Sequence, residues 1–151
     1  MSELVALEVR DGPPSAEVLE LRRVVLRDGG PLESARFPGD EDADTIHVLA
    51  WAEGALVGVG TLMREALAPR SREPGSQWRV RGMAVDASWR GQGIGSRMLQ
   101  ALLGAAPEDA GLLWCRARLR AVPLYARHGF VPEGEVYEIA GIGPHLTMVR
   151  R

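Results

Sequence analysis

The heptapeptide Arg90-Gly91-Gln92-Gly93-Ile94-Gly95-Ser96 is the part of this sequence that most directly suggests chemistry. It follows an alternating, strand-like run at residues 78–85 and opens a helical run at residues 93–103. A helix start gathers unpaired backbone N–H groups at the positive end of the peptide dipoles, and phosphate is the natural ligand for such a place. Glycines let the main chain approach phosphate oxygens without an intervening Cβ and reach positive φ where the amides must turn inward. Arg90 adds a fixed charge. Glycines that merely tighten a strand-to-helix turn are the alternative reading. The spacing is Gly-x-Gly-x-Gly, not the Gly-x-Gly-x-x-Gly of dinucleotide loops, and all 18 basic residues are arginine. A Walker-type loop and a lysine Schiff base are therefore excluded.

Other reactive side chains are few. Cys115, the one cysteine, can form neither an internal disulfide nor a cysteine-rich zinc site, and reads as a small buried side chain on a strand. No metal site is expected. His47 and His145 fall in β-rich runs, where either imidazole could accept a proton near neutrality. His128 falls in the last turn of a helix, where a cation meets the negative dipole end, a structural role. Tyr125 is a phenol that stays protonated at neutral pH.

The elements that must position these groups follow from periodicity and turn signals. Ser15 is a plausible N-cap for a helix over residues 15–27, which Asp28-Gly29-Gly30-Pro31 stops. Residues 32–44 read as a short helical turn and an acidic loop. Runs at 45–52 and 55–64, separated by Glu53-Gly54, form a hairpin. Residues 66–77 read as a loop. Strand 78–85, helix 93–103 and strand 111–117 make one βαβ unit with parallel strands. A helix over 121–128 ends at Gly129, and runs at 135–140 and 145–150 follow. The order is helix, hairpin, strand, helix, strand, helix, strand, strand, an α/β domain with a mixed sheet and helices on its faces.

With 151 residues, 46% hydrophobic and 25% charged, the chain suits one globular domain spanning 1–151. A net charge of -2 disfavours nucleic acid and anionic membranes as partners. No apolar run approaches the ~20 residues of a membrane span, and Met1-Ser2-Glu3-Leu4 carries an acid where a secretory signal carries bases. A cytoplasmic location is expected.

Residues 79–103, with Arg90, Gly93 and Gly95 on the family's Arg/Gln-x-x-Gly-x-Gly/Ala, resemble the acetyl-CoA-binding motif of the GNAT superfamily of N-acetyltransferases. Residues 121–130, Ala-Val-Pro-Leu-Tyr-Ala-Arg-His-Gly-Phe, resemble its second signature, a tyrosine on a helix shortly before Gly-Phe. The resemblance implies a mixed, mostly antiparallel (α+β) sheet with splayed central parallel strands, flanked by helices. It implies acetyl-CoA as co-substrate, its pyrophosphate on the amides of Gly91, Gln92, Gly93, Ile94, Gly95 and Ser96, and its pantetheine arm along Met83, Ala84 and Val85. A bulge there would splay the parallel strands. Direct transfer to an amine in a ternary complex follows, with Tyr125 as general acid. The superfamily's carboxylate base falls near Arg79 and Arg81 here, so His145, near the acceptor pocket in this fold, is the candidate base and His47 a candidate acceptor contact. A non-catalytic acyl-CoA-binding or regulatory domain is the competing reading.

The acceptor is a small-molecule or protein amine whose charge stays open. Arg79 and Arg81 share a strand face and suit a carboxylate- or phosphate-bearing amine, whereas Asp40-Glu41-Asp42-Ala43-Asp44 suits a cationic one. A homodimer is allowed for.

Overall fold

The computed structural model describes residues 5–68 and 72–151. Residues 69–71 of the loop expected over 66–77, and the segment 1–4, lie outside the described residues. An eight-stranded sheet runs in the order β1 (Val5–Asp11), β2 (Ile46–Ala52), β3 (Ala55–Arg64), β4 (Ser76–Val85), β5 (Ala110–Arg118), β8 (Gly143–Arg150) and β6 (Val131–Pro132), with β7 (Tyr137–Ile139) also on β8. Only β4 and β5 pair in parallel; the other ladders are antiparallel. Three helices complete the fold: α1 (Ala16–Leu26), α2 (Ile94–Ala105) and α3 (Val122–Arg127).

The local signals explain most of these elements. Ser15 Oγ accepts from the Val18 amide at 3.3 Å and caps α1. Glu53 and Gly54 both take positive φ, the geometry of a tight two-residue hairpin, and join β2 to β3. The fold adds a first strand that the element order read from sequence omitted. β1 pairs with β2 along its whole length, from Val5↔Ala52 to Asp11↔Ile46. Its alternation of Val5, Leu7 and Val9 with Glu8 and Arg10 has the period of a strand, and its partner β2 lies about 40 residues further along the chain.

Two apolar layers hold the sheet. Ile94, Met98, Leu99 and Leu102 of α2 pack on one face against Val48, Val57, Leu62, Trp78, Val80 and Cys115. On the other face, Val18 and Leu21 of α1 pack against Leu49, Val59 and Ala84.

Beside α1 lies a buried polar network. Arg22, 0% exposed, donates to both Asp40 oxygens at 2.7 and 2.9 Å, to the Ala35 carbonyl at 3.0 Å and to Thr61 Oγ1 at 2.9 Å. Asp40 also accepts from the Phe37 amide at 2.8 Å. The first residue of the acidic loop is thus turned inward and consumed by a bidentate ion pair. His47 lies beneath, its Nδ1 at 2.8 Å from Thr61 Oγ1. Burial, and then the Arg22 charge, pushes its pKa below the usual histidine range.

Breaking this pair strands a buried guanidinium. Asp40→Ala is expected to cost about 3–5 kcal/mol of unfolding free energy in urea titrations, against under about 0.5 kcal/mol for Asp42→Ala on the exposed side of the loop. A second expectation concerns pH. Below about 6.5, the ordinary histidine value, the unfolded chain takes up a proton that folded His47 resists, so stability falls as pH falls through that window. The stability–pH curve of His47→Gln should be flatter there than that of the parent; parallel curves would show that His47 contributes nothing to the dependence.

Candidate active site

The parallel ladder between β4 and β5 runs from Ser76↔Ala110 to Val80↔Cys115 and stops. β4 then continues along β3 as far as Gly58↔Val85, while β5 continues along β8 as far as Arg118↔His145. The strands part because β4 bulges. Val59 faces Ala84 and Thr61 faces Arg81, so Gly60 alone opposes Gly82 and Met83. Gly82 has φ +67°, and a Cβ there would fall 2.6 Å from Phe37 Cε2. Both conditions call for glycine.

The parting opens a cleft of about 710 Å³, within the size range of small-molecule sites. At one end Arg90, Gly91, Gly93, Ile94, Gly95 and Ser96 line it. Gly93 is the N-cap of α2 with φ +78°, and no side chain caps the helix. Its amides therefore keep their donors for a ligand. A Cβ at Gly91 or Gly93 would meet nothing within 4 Å, so the space above the loop is open. Arg90 Nε donates to the Val85 carbonyl at 3.1 Å, which ties the loop to the end of β4. Ser96 Oγ lies 2.6 Å from His128 Nε2, so the histidine at the end of α3 also holds the start of α2. Gln92 is half-buried and is not among the lining residues.

Met83, Ala84 and Val85 line the middle of the cleft, along the part of β4 that β5 has left. Tyr125 lines it from α3, 5% exposed, its ring edge-on to Phe130 at 5.4 Å between centroids. Burial pushes the phenol well above its ordinary pKa, so it stays protonated throughout the neutral range. Cys115 is buried behind the sheet, where desolvation pushes its thiol up to about 12. It is no thiolate at neutral pH.

At the far end the cleft wall includes Arg79, Arg81, Arg116, Arg118 and His145. Residues opposite one another across a ladder share a face, and the pairs Thr61↔Arg81, Arg79↔Trp114, Arg116↔Thr147 and Arg118↔His145 put all of them on one side of the sheet. His145 Nδ1 lies 2.9 Å from the Gly143 carbonyl. A carbonyl only accepts, so Nδ1 carries the proton and Nε2 of the neutral ring keeps its lone pair. Burial lowers the pKa of Arg79 and, to about 10, that of Arg81, with neighbouring positive charge adding to the effect. Both remain cations at neutral pH. Arg118 donates to the Leu26 carbonyl at 2.9 Å and so ties β5 to the end of α1.

His47 is the sequence-selected residue that the fold sets apart. It is 1% exposed and does not line the cleft, because the Arg22–Asp40 pair and Thr61 cover it. Conversely, Arg116, Arg118 and Phe37 line the cleft without having been selected. The Arg-x-Arg alternation at 116–118 repeats that at 79–81 and marked the same face. Phe37 carried no such mark. Among the described residues no group of three or more His, Cys, Asp or Glu could hold a metal ion.

An uncapped, glycine-lined helix start and the gap between two parting parallel strands thus share one cleft. Residues 43–132 match the acetyltransferase (GNAT) domain family, and the chain belongs to that family. It is 28% identical to the uncharacterised N-acetyltransferase YitI of Bacillus subtilis, over 99% of this chain and 96% of that protein. An acyl-CoA N-acyltransferase from Pseudomonas aeruginosa superposes with a TM-score of 0.74 at 25% identity, over 97% of this chain and 99% of the other. Escherichia coli ElaA superposes with a TM-score of 0.75 at 23% identity, over 97% and 100%. The chain is thus an acyltransferase that takes an acyl group from acyl-CoA to an amine. The open, glycine-lined and uncapped start of α2 fits the pyrophosphate of that co-substrate.

Gly93→Asp would place a carboxylate at the helix start and force a side chain into positive φ. Acetyl-CoA affinity by calorimetry should fall at least 100-fold, while Gly104→Asp on the same helix changes it little.

Proposed function

We propose that this chain is an acetyl-CoA-dependent N-acetyltransferase that works by direct transfer, with Tyr125 as the general acid. The observation that carries the reading is the phenol itself, buried, protonated and lining the cleft beside the unpaired length of β4. Acetyl-CoA supplies an activated acyl carbon. The backbone from Gly91 to Ser96 binds its phosphates, and Met83, Ala84 and Val85 present main chain along the cleft to its arm. As nitrogen bonds to the acyl carbon and the C–S bond breaks, Tyr125 donates a hydrogen bond and then its proton to the departing sulfur. The buried phenol stays protonated at neutral pH and so is present as a donor when charge builds on sulfur.

The attacking nitrogen must shed a proton. His145 Nε2 is the acceptor this site offers, its ring held by the Gly143 carbonyl, and it takes that proton directly or through water. Among the described residues no carboxylate lines the cleft to do so instead.

Tyr125→Phe should lower kcat by about 10²–10⁴-fold with acetyl-CoA affinity within twofold of the parent. Equal rates for the two proteins would remove Tyr125 from the chemistry. His145→Gln should lower kcat with acetyl-CoA affinity within twofold of the parent; an unchanged kcat would remove His145 from the chemistry.

A further inference from the structure

We infer that the acceptor is a small amine carrying its own anionic group, a carboxylate or phosphonate, and that Arg81 is the residue that binds this group. The inference rests on the acetyltransferase reading above and names its substrate class. The chain has 20 acidic residues and, among the described residues, none of them lines the cleft, whereas eight arginines do. A lysine-free composition sets how many arginines exist but not their concentration on one wall.

The cofactor does not account for the arginines at the far end. Arg81 faces Thr61 and Val85 faces Gly58, three residues apart on β3, so about 10 Å of strand separates Arg81 from the end of β4, where the glycine loop begins. Its neighbours on the same face are mostly committed. Arg79 pairs with Glu65 at 3.3 Å and lies 5.0 Å from the Trp114 ring centre, and Arg118 holds the Leu26 carbonyl. Arg81 makes no hydrogen bond or ion pair with any described residue. Its guanidinium is half-buried and lies 4.2 Å from the Phe37 ring centre, and Phe37 in turn meets Arg22 at 4.0 Å. The aromatic contact orients the guanidinium but uses none of its five N–H donors. A planar fork fixed in place with its donors unspent matches an oxyanion in bidentate fashion.

The same wall argues against a cationic acceptor. The acidic loop that suited one does not reach the cleft: Asp40 is spent on Arg22, while Asp44 faces a separate hollow of about 370 Å³ with Asp11 and Asp109. A polyamine or a lysine side chain would bring positive charge to Arg79, Arg81 and Arg116 with no carboxylate on the lining to offset it.

The test uses matched acceptors that differ in the anion alone. Acetyl-CoA turnover is followed by thiol release with L-methionine against L-methioninamide, with 1-amino-3-(methylthio)propylphosphonic acid, and with spermidine. The amide has the more readily deprotonated amine, so a preference for the acid arises against that bias. Expected is a kcat/KM at least 10-fold higher for the acid or phosphonate than for the amide, with spermidine slowest. Arg81→Gln should bring the acid-to-amide ratio toward one, chiefly through KM, and Arg81→Lys should restore part of it. Equal use of acid and amide, a preference for spermidine, or an Arg81→Gln protein whose loss is in acetyl-CoA affinity would overturn the assignment. If the variant does not fold, the wild-type ratio decides. If acetyl-CoA binds but no amine is acetylated, calorimetry of the same acids on the CoA complex decides, and absence of binding defeats the proposal. Failure to bind acetyl-CoA at all defeats the acetyltransferase reading instead.

Discussion

Hydrogen bonding between β4 and β5 ends at Val80↔Cys115, and the site depends on that interruption. Two adjacent parallel strands would ordinarily remain paired, since each unpaired backbone group in a protected place costs free energy. Here the bulge at Gly82 and Met83 bends β4 toward β3. Phe37 occupies the space that a side chain at position 82 would need, and Phe37 is held from behind by its amide bond to Asp40 and its contact with Arg22. The buried ion pair thus contributes position more than net stability, because desolvating two charges offsets much of their attraction. It joins α1, the acidic loop and β3 in one arrangement that keeps the gap in shape.

The two ends of the gap offer hydrogen-bond donors of different kinds. At the start of α2 the donors are backbone amides, left unspent because the N-cap is a glycine with no side chain to offer. At the other end they are guanidinium groups on a sheet face, of which Arg79 is paired with Glu65 and Arg118 with the end of α1. A main-chain nest suits a phosphate diester, whereas a fixed fork suits a compact oxyanion on a smaller molecule. Tyr125 and His145 reach the same cleft from α3 and β8, elements distant in sequence from the glycine loop and from β4. The protonated phenol and the histidine lone pair at Nε2 are both set by surroundings: burial for the first, a backbone carbonyl for the second.

Much of this was legible from residue types and spacing. The glycine loop, its place between a strand and a helix, the Tyr125 signature, the Ser15 cap and the Glu53-Gly54 hairpin are local patterns, in which the chemistry needed lies within a few residues of chain. So is the shared face of Arg79 and Arg81, which follows from the two-residue period of a strand. β1 has the same two-residue period at Val5, Leu7 and Val9 but no turn joins it to its partner β2, which lies about 40 residues further along the chain.

What the tertiary structure alone decided concerns pairs far apart in sequence. Asp40 is separated from Arg22 by 18 residues and reads as part of a solvated acidic run until the fold turns it inward. His47 has the same residue type as His145, yet one lies beneath a buried ion pair and the other on the cleft wall, since neighbouring strands and not residue identity determine exposure. Ser96 and His128 meet across 32 residues. A local pattern states what a segment can bind or donate; which donors remain unspent depends on the partners that folding brings to them. That is why the sequence by itself determined the family and its glycine loop, and only the packed sheet showed Arg81 with its donors still free.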